Sequence, residues 1–133
     1  MQKAGGAQKL VIGYWDIRGL VQPIKYLLEY LQVDYEDKQY FYGEAPDHNK
    51  DSWFSVKHHI GLQFPNLPYL MDGDLKITES HAIFRYICNT HAPELLGKTN
   101  LEKAHVDMIM NIGQDIRNSA YNAIYETGDR EWI

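Results

Sequence analysis

Phe64-Pro65-Asn66-Leu67-Pro68-Tyr69-Leu70-Met71-Asp72-Gly73-Asp74-Leu75-Lys76-Ile77-Thr78-Glu79-Ser80-His81-Ala82-Ile83 packs a turn, a short hairpin and a helix start into consecutive residues. The prolines flanking Asn66-Leu67 each remove a ladder donor, so this segment cannot sit inside a central strand. Tyr69-Leu70-Met71 then reads as a strand, Asp72-Gly73 as a tight turn and Leu75-Lys76-Ile77 as the returning strand. Ser80 stands just before Ala82-Ile83-Phe84, in the place of a helix N-cap. A constrained loop facing the open N-terminus of a helix suits an anionic ligand.

Upstream, Lys9-Leu10-Val11-Ile12-Gly13-Tyr14-Trp15 is a short apolar run that reads as a buried strand, broken by Asp16-Ile17-Arg18-Gly19. A helix is expected over residues 20–31, where Leu20, Ile24, Leu27, Leu28 and Leu31 recur at helical spacing and Pro23 falls in the first turn. Residues 33–41 alternate loosely as a second strand. Residues 42–51, with Gly43, Pro46, Asp47 and Asn49, form a loop longer than the roughly two to six residues usual between a strand and a helix. Asp51 or Ser52 is placed to cap a short helix over residues 53–57, which ends at His58-His59-Ile60-Gly61.

Downstream, residues 80–91 read as a helix with Ile83, Phe84 and Ile87 on one face, and residues 92–99 as a linker. Asn100 is expected to cap a last helix. Its face is Val106, Ile109, Met110, Gly113 and Ile116 or Arg117, and Gly128 stops it. The order β-α-β-α-β-β-α predicts a mixed four-stranded α/β sheet with helices on its faces, over residues 10–91. Beyond the linker, residues 100–133 read as one further helix. Their helix cannot bury its apolar face alone and needs the first domain, further sequence or a partner.

The 133 residues are enough for a real core, and 44% apolar with 13% aromatic residues describes a packed chain. A net charge of −5 argues against non-specific nucleic-acid binding, which needs a basic face. No apolar run approaches the roughly 18 residues of a membrane span. Residues 1–9 are small and polar, lack the apolar core of a signal peptide, and read as an extension outside the fold. The single cysteine, Cys88, excludes an internal disulfide, a redox pair and a zinc ribbon; it reads as a small buried hydrophobe in a cytoplasmic, reducing compartment. The six histidines show no metal-binding spacing, and no phosphate loop or dinucleotide fingerprint is present.

Gly13-Tyr14-Trp15-Asp16-Ile17-Arg18-Gly19-Leu20, the loop of residues 42–53 and the Gly61-Leu62-Gln63-Phe64-Pro65-Asn66-Leu67-Pro68-Tyr69 run together resemble cytosolic glutathione transferases, the mu class in particular. The resemblance covers residues 10–125. It implies a thioredoxin-like domain followed by an all-helical domain that is truncated here. It also implies glutathione as co-substrate, no metal or other cofactor, a small hydrophobic electrophile as second substrate, and a homodimer or an assembly subunit.

The resemblance further assigns roles by position. Taken alone, Tyr14 is a core aromatic on a strand; the motif makes it the donor that stabilises the glutathione thiolate. Trp15, Leu20, Trp53, Lys57, Asn66, Leu67, Pro68, Glu79, Ser80 and Asp115 fall at glutathione-binding positions. Leu67 would pair with the cysteinyl unit as an added strand, with Pro68 cis. Ser80 and the first amides of its helix would hold the γ-glutamyl carboxylate, although a plain helix cap is equally compatible. Glu79 replaces the glutamine of the mu pattern and would meet the γ-glutamyl ammonium. Trp53 and Lys57 would meet the glycyl carboxylate; an apolar staple and a solvated lysine is the other reading. Arg117 and Tyr125 fall at the electrophile pocket, and Phe64 and Arg85 at the dimer interface. Two functions follow: a glutathione transferase acting in electrophile detoxification, or a catalytically weak module of the same fold serving as a binding or scaffolding subunit. A thiol–disulfide oxidoreductase fits poorly, because no cysteine follows the first strand.

Overall fold

The computed structural model describes residues 9–126, and the chain divides after Ala92 into two compact units. The first unit runs β1 (Leu10–Trp15), α1 (Gln22–Tyr30), β2 (Tyr35–Tyr40), α2 (Asp51–Phe54), β3 (Tyr69–Asp72), β4 (Leu75–Thr78) and α3 (Ser80–His91). The strands form one sheet in the order β2-β1-β3-β4. β1 and β2 are parallel, which requires the crossover that α1 supplies, while β1–β3 and β3–β4 are antiparallel. This is the mixed four-stranded sheet expected from the order of elements, in the thioredoxin-like form that the resemblance implies.

Alternation along the strands sends side chains to opposite faces. On one face Ile12 and Leu70, partners across β1 and β3, lie fully buried with Ile24 and Leu28 of α1 and Ile83 and Ile87 of α3. Two polar contacts pin those helices to that face. Lys25 Nζ lies 2.7 Å from Asp37 Oδ2, and the Tyr86 hydroxyl donates to Asp72 Oδ2 at 2.6 Å. The bond to the Asp72 carboxylate, aided by desolvation, holds the Tyr86 hydroxyl above the ordinary tyrosine range.

The opposite face is aromatic. Tyr69 pairs with Gly13, and its ring occupies the space where a Gly13 Cβ would stand. Trp53 of α2 stacks on that ring at 6.0 Å between centroids, and Tyr40 meets Trp53 edge-on at 5.1 Å. The Tyr40 and Tyr69 hydroxyls lie 2.9 Å apart and are buried. Burial first, and the bond to Tyr40 second, push the Tyr69 hydroxyl well above the usual tyrosine range.

Several element ends differ from the sequence expectation. α1 starts at Gln22 because Gly19 turns at φ +38°, with Gln22 N–H then donating to the Arg18 carbonyl at 3.0 Å. β2 starts at Tyr35, since the Val33 amide is drawn to the Leu28 carbonyl at 3.0 Å. Neither Asp51 nor Ser52 caps α2: Lys50 holds the cap position, and the Ser52 hydroxyl bridges the Phe41 amide (3.0 Å) and carbonyl (2.7 Å). The β3–β4 loop is Gly73-Asp74, one residue later than expected, with Gly73 at φ +58° in the first loop position. Ser80 is the first residue of α3, and Glu79, at φ +73°, holds the N-cap position.

The second unit holds a 3₁₀ helix (Pro93–Leu96) inside the expected linker, then α4 (Asn100–Glu126). Thr99, and not Asn100, caps α4. Its hydroxyl accepts from the Glu102 amide at 3.1 Å, while Glu102 Oε2 accepts from the Lys98 and Thr99 amides at 2.6 and 2.9 Å. This reciprocal capping box satisfies donors that the helix itself leaves over. Along α4, Ile109, Ile112 and Ile116 are exposed, while Val106 and Met110 are half-buried. The stop expected at Gly128 and residues 1–8 of the extension expected over residues 1–9 lie outside the described residues.

Two outcomes follow. Gly13→Ala forces a methyl group into the Tyr69 ring and should destabilise the first unit by about 1–3 kcal/mol; an unchanged urea midpoint would contradict this packing. Backbone bonds from Thr99 and Lys98 hold Glu102 below the ordinary glutamate range. Its stabilisation of α4 is therefore complete above that range and lost as pH falls through the lowered folded value. Protection factors at the Lys98 and Thr99 amides, taken against the intrinsic exchange rate at each pH, should fall on acidification and lose that pH dependence in Glu102→Gln. Protection that persists in acid would overturn the assignment.

Candidate functional site

Gly13 pairs with Tyr69 and Tyr69 with Thr78, so the three stand in one row across β1, β3 and β4. The residues just past that row, Tyr14 and Trp15, Leu67 and Pro68, Glu79 and Ser80, therefore share one end of the sheet. It is the carboxyl end of β1, the position where ligands of open α/β sheets bind. Three segments far apart in sequence meet there because the strand register places them there.

Tyr14 is buried on the α1 side. Its hydroxyl oxygen accepts the Leu20 amide at 3.2 Å, and Gly19 passes so close that a Cβ there would lie 2.6 Å from that oxygen. With a main-chain donor on its oxygen, the hydroxyl has its own proton to give. Such a group can act as a hydrogen-bond donor to an anion held at the mouth of β1.

The Leu67–Pro68 peptide is cis. Leu67, whose amide is expected to meet an added strand, is buried. That N–H is already donated to Asn66 Oδ1 at 2.9 Å, because the short asparagine side chain folds back onto the next amide. Asn66 Nδ2 in turn reaches Glu79 Oε1 at 3.5 Å.

Glu79 is exposed and holds a left-handed conformation, which costs a non-glycine residue on the order of 1–3 kcal/mol. Its side chain makes no cap, and its carbonyl accepts from the Ile83 amide at 3.0 Å. The amides of Ser80, His81 and Ala82 precede the first intrahelical donor and point out of the helix start. Outward amides suit a carboxylate and the Glu79 carboxylate suits an ammonium, so this corner is matched to the head of an α-amino acid.

On the aromatic face Trp15 stacks on Tyr42 at 4.6 Å, Lys50 Nζ stands 6.0 Å from the Tyr42 ring, and Trp53 is buried. Lys57 lies beyond the end of α2, yet its amide still donates to the Trp53 carbonyl at 2.9 Å, so the two remain one turn apart. Its ammonium sits 4.9 Å from the centre of the Phe54 ring. The loop between β2 and α2 is closed by the Gly43 amide on the Asn49 carbonyl at 2.8 Å.

Phe64 is 69% exposed beside a depression of ≈ 250 Å³ that also touches Lys76, Thr78 and Glu79. Arg85 is half-buried on α3 and donates to the His81 carbonyl at 3.4 Å. A larger depression, ≈ 520 Å³, lies at the other end of the sheet near Glu29, Asp34 and Asp37. Its acidic wall and its distance from Tyr14 separate it from the chemistry above. Asp115 and Arg117 lie on α4, in the second unit, and the Tyr125 side chain falls outside the described residues. Among the described residues no three His, Cys, Asp or Glu side chains gather as a metal site, and no helix is long and apolar enough to cross a membrane.

Sequence reasoning missed Gly13, Gly19, Tyr40, Tyr42 and Tyr69 as supports of this end of the sheet. A glycine inside an apolar strand is a signal of close approach, and Gly13 carried it. The tyrosines carried no such signal.

The family model described as Glutathione S-transferase, N-terminal domain, matches residues 10–89. Glutathione S-transferase Mu 4 of Rattus norvegicus is 48% identical over 116 residues, which span 87% of this chain and 52% of that protein. Glutathione S-transferase Mu 3 of Homo sapiens is 48% identical over 118 residues, 89% of this chain and 52% of that protein. Among solved structures, the glutathione S-transferase Blo t 8 superposes with a TM-score of 0.77 at 39% identity, covering 86% of this chain and 50% of that one. The Pi-class enzyme of Onchocerca volvulus gives 0.74 at 29% identity, covering 89% and 51%. The chain spans about half the length of the relatives it matches.

Proposed function

Because the chain belongs to the glutathione S-transferase family, we propose that it binds reduced glutathione at the carboxyl end of β1 and conjugates it to small hydrophobic electrophiles in the manner of the mu class. The observation that carries this reading is the Tyr14 hydroxyl, loaded on its oxygen by the Leu20 amide and sharing one end of the sheet with Leu67 and the start of α3.

A thiol of pKa about 8.5 is mostly protonated at neutral pH, and its thiolate is the nucleophile. A hydrogen bond from Tyr14 to the sulfur, worth about 1.5–3 kcal/mol with a charged acceptor, lowers that pKa by about one to two units. The thiolate then attacks the electrophilic carbon: a sulfur–carbon bond forms, the leaving group departs with its electron pair, and the thiol proton goes to solvent. In this reading the first amides of α3 with Ser80 hold the γ-glutamyl carboxylate, Glu79 its ammonium, and Leu67, with Pro68 and Asn66 beside it, the cysteinyl unit. Trp53 and Lys57 hold the glycyl carboxylate, while Trp15 and Leu20 line the cleft.

Asp115, Arg117 and Tyr125 act from the helical part, the last two on the electrophile. The exposure of Phe64 supports a homodimer in which that ring inserts into the partner, with Arg85 at the shared interface. Reduced glutathione and the free thiol of Cys88 fit a cytoplasmic setting and a role in detoxification.

Tyr14→Phe tests the mechanism. The pKa of bound glutathione, followed by thiolate absorbance against pH, should rise by about one to two units, with turnover at neutral pH falling about ten- to hundredfold. Turnover equal to wild type would sink it.

A further inference from the structure

Where the aromatic face meets the loop of residues 42–50, one ring contact lies outside the buried cluster. Tyr42 stacks on the Trp15 indole at 4.6 Å between centroids with the planes 22° apart, and Tyr40 meets the same indole edge-on at 6.5 Å. Tyr40 is buried, but Tyr42 is 39% exposed and Trp15 half-buried. Core packing therefore does not by itself hold the indole in one rotamer. Among the described residues its N–H donates to no protein group, so the direction of that donor depends on the ring, and the ring depends on its stack.

The loop is built to hold Tyr42 in place. On one side of it the Ser52 hydroxyl bridges the Phe41 amide and carbonyl at 3.0 and 2.7 Å. On the other the Gly43 amide donates to the Asn49 carbonyl at 2.8 Å, and the Asn49 side chain fills the space that a Gly43 Cβ would take. Lys50 Nζ, at the far end of the loop, stands 6.0 Å from the Tyr42 ring. Both chain neighbours of Tyr42 are thus tied, and this frame presents its ring to Trp15 before any ligand arrives.

From this geometry we infer that Tyr42 is a positioning residue for glutathione: its ring holds the Trp15 indole in the orientation that receives the tripeptide. The inference rests on the glutathione reading above and adds a residue that acts on Trp15 and not on the ligand. Without the stack the half-buried indole regains other rotamers, and binding must order it again, which lowers affinity. The loss falls on binding alone. Tyr14 precedes Trp15 on β1, and its side chain lies on the opposite face of the sheet, so the hydroxyl that stabilises the thiolate is unaffected.

The experiment is calorimetric titration of reduced glutathione into the wild-type chain and its variants, with thermal midpoints measured alongside. Tyr42→Ala should weaken binding about two- to tenfold, the range that one aromatic pair contributes beyond its buried area. Tyr42→Phe, which keeps the ring, should bind as wild type does. The pKa of bound glutathione, followed by thiolate absorbance, should stay at the wild-type value in Tyr42→Ala. A further arm repeats Tyr42→Ala in a Trp15→Leu background, where no indole remains to be positioned; the additional change should be about twofold or less. Tyr42→Leu, apolar but without a ring, takes the place of the alanine variant where that one lowers the midpoint. Equal affinity in wild type and Tyr42→Ala, weaker binding in Tyr42→Phe, a raised pKa of bound glutathione, or the same loss in both backgrounds overturns the inference and leaves the glutathione reading standing. Wild type that binds no glutathione overturns that reading, and this one with it.

Discussion

The first unit depends on one absence of mass. Gly13 has no side chain, and the Tyr69 ring lies in the space a Cβ would take. That contact draws β3 against β1 in a single register, and the same ring is the platform on which Trp53 stacks. Tyr40, at the end of the edge strand, completes the cluster through its hydroxyl bond to Tyr69. The short helix α2 carries too few residues for a hydrophobic stripe of its own, so this aromatic platform is what holds it to the sheet.

The consequences reach the site because the row of Gly13, Tyr69 and Thr78 is also its floor. A slip of one residue along β3 would send Tyr69 to the helix face and Leu70 to the aromatic face. Tyr14 would then no longer share an end of the sheet with Leu67. The two faces therefore divide the work. The α1–α3 face buries aliphatic side chains and carries the tyrosine hydroxyl; the α2 face carries tryptophans, tyrosines and a lysine around the loop of residues 42–50. An extended ligand of mixed polarity needs both, and the end of the sheet is where both are within reach.

The second unit rests on local chemistry. Thr99 and Glu102 close the start of α4 through reciprocal bonds to each other's amides, which needs no long-range packing. The exposed isoleucines along α4 show a different dependence: Ile109, Ile112 and Ile116 are apolar surface that the described residues leave uncovered. The matched span is about half the length of the relatives.

Period and punctuation made the element order legible in the sequence. The apolar run of β1, the Gly73 hairpin and the spacing of Ile83 and Ile87 are local signals, and the structure keeps all of them. The motifs around Tyr14, Leu67 and Ser80 likewise named the residues that end up at one end of the sheet. Caps were misread at Ser52, Ser80 and Asn100, because a hydroxyl has several amides within reach and only the folded chain decides which it takes. Ser52 went to the Phe41 backbone, and Thr99 outcompeted Asn100 by pairing with Glu102. The sequence by itself determined which side chains the site has to work with. The tertiary structure alone decided which of their groups are already engaged: the Leu67 amide with Asn66, the Tyr14 oxygen with Leu20. Hydrogen-bond partners are chosen by distances of a few ångströms between segments far apart in the chain, and no spacing in the sequence encodes those distances.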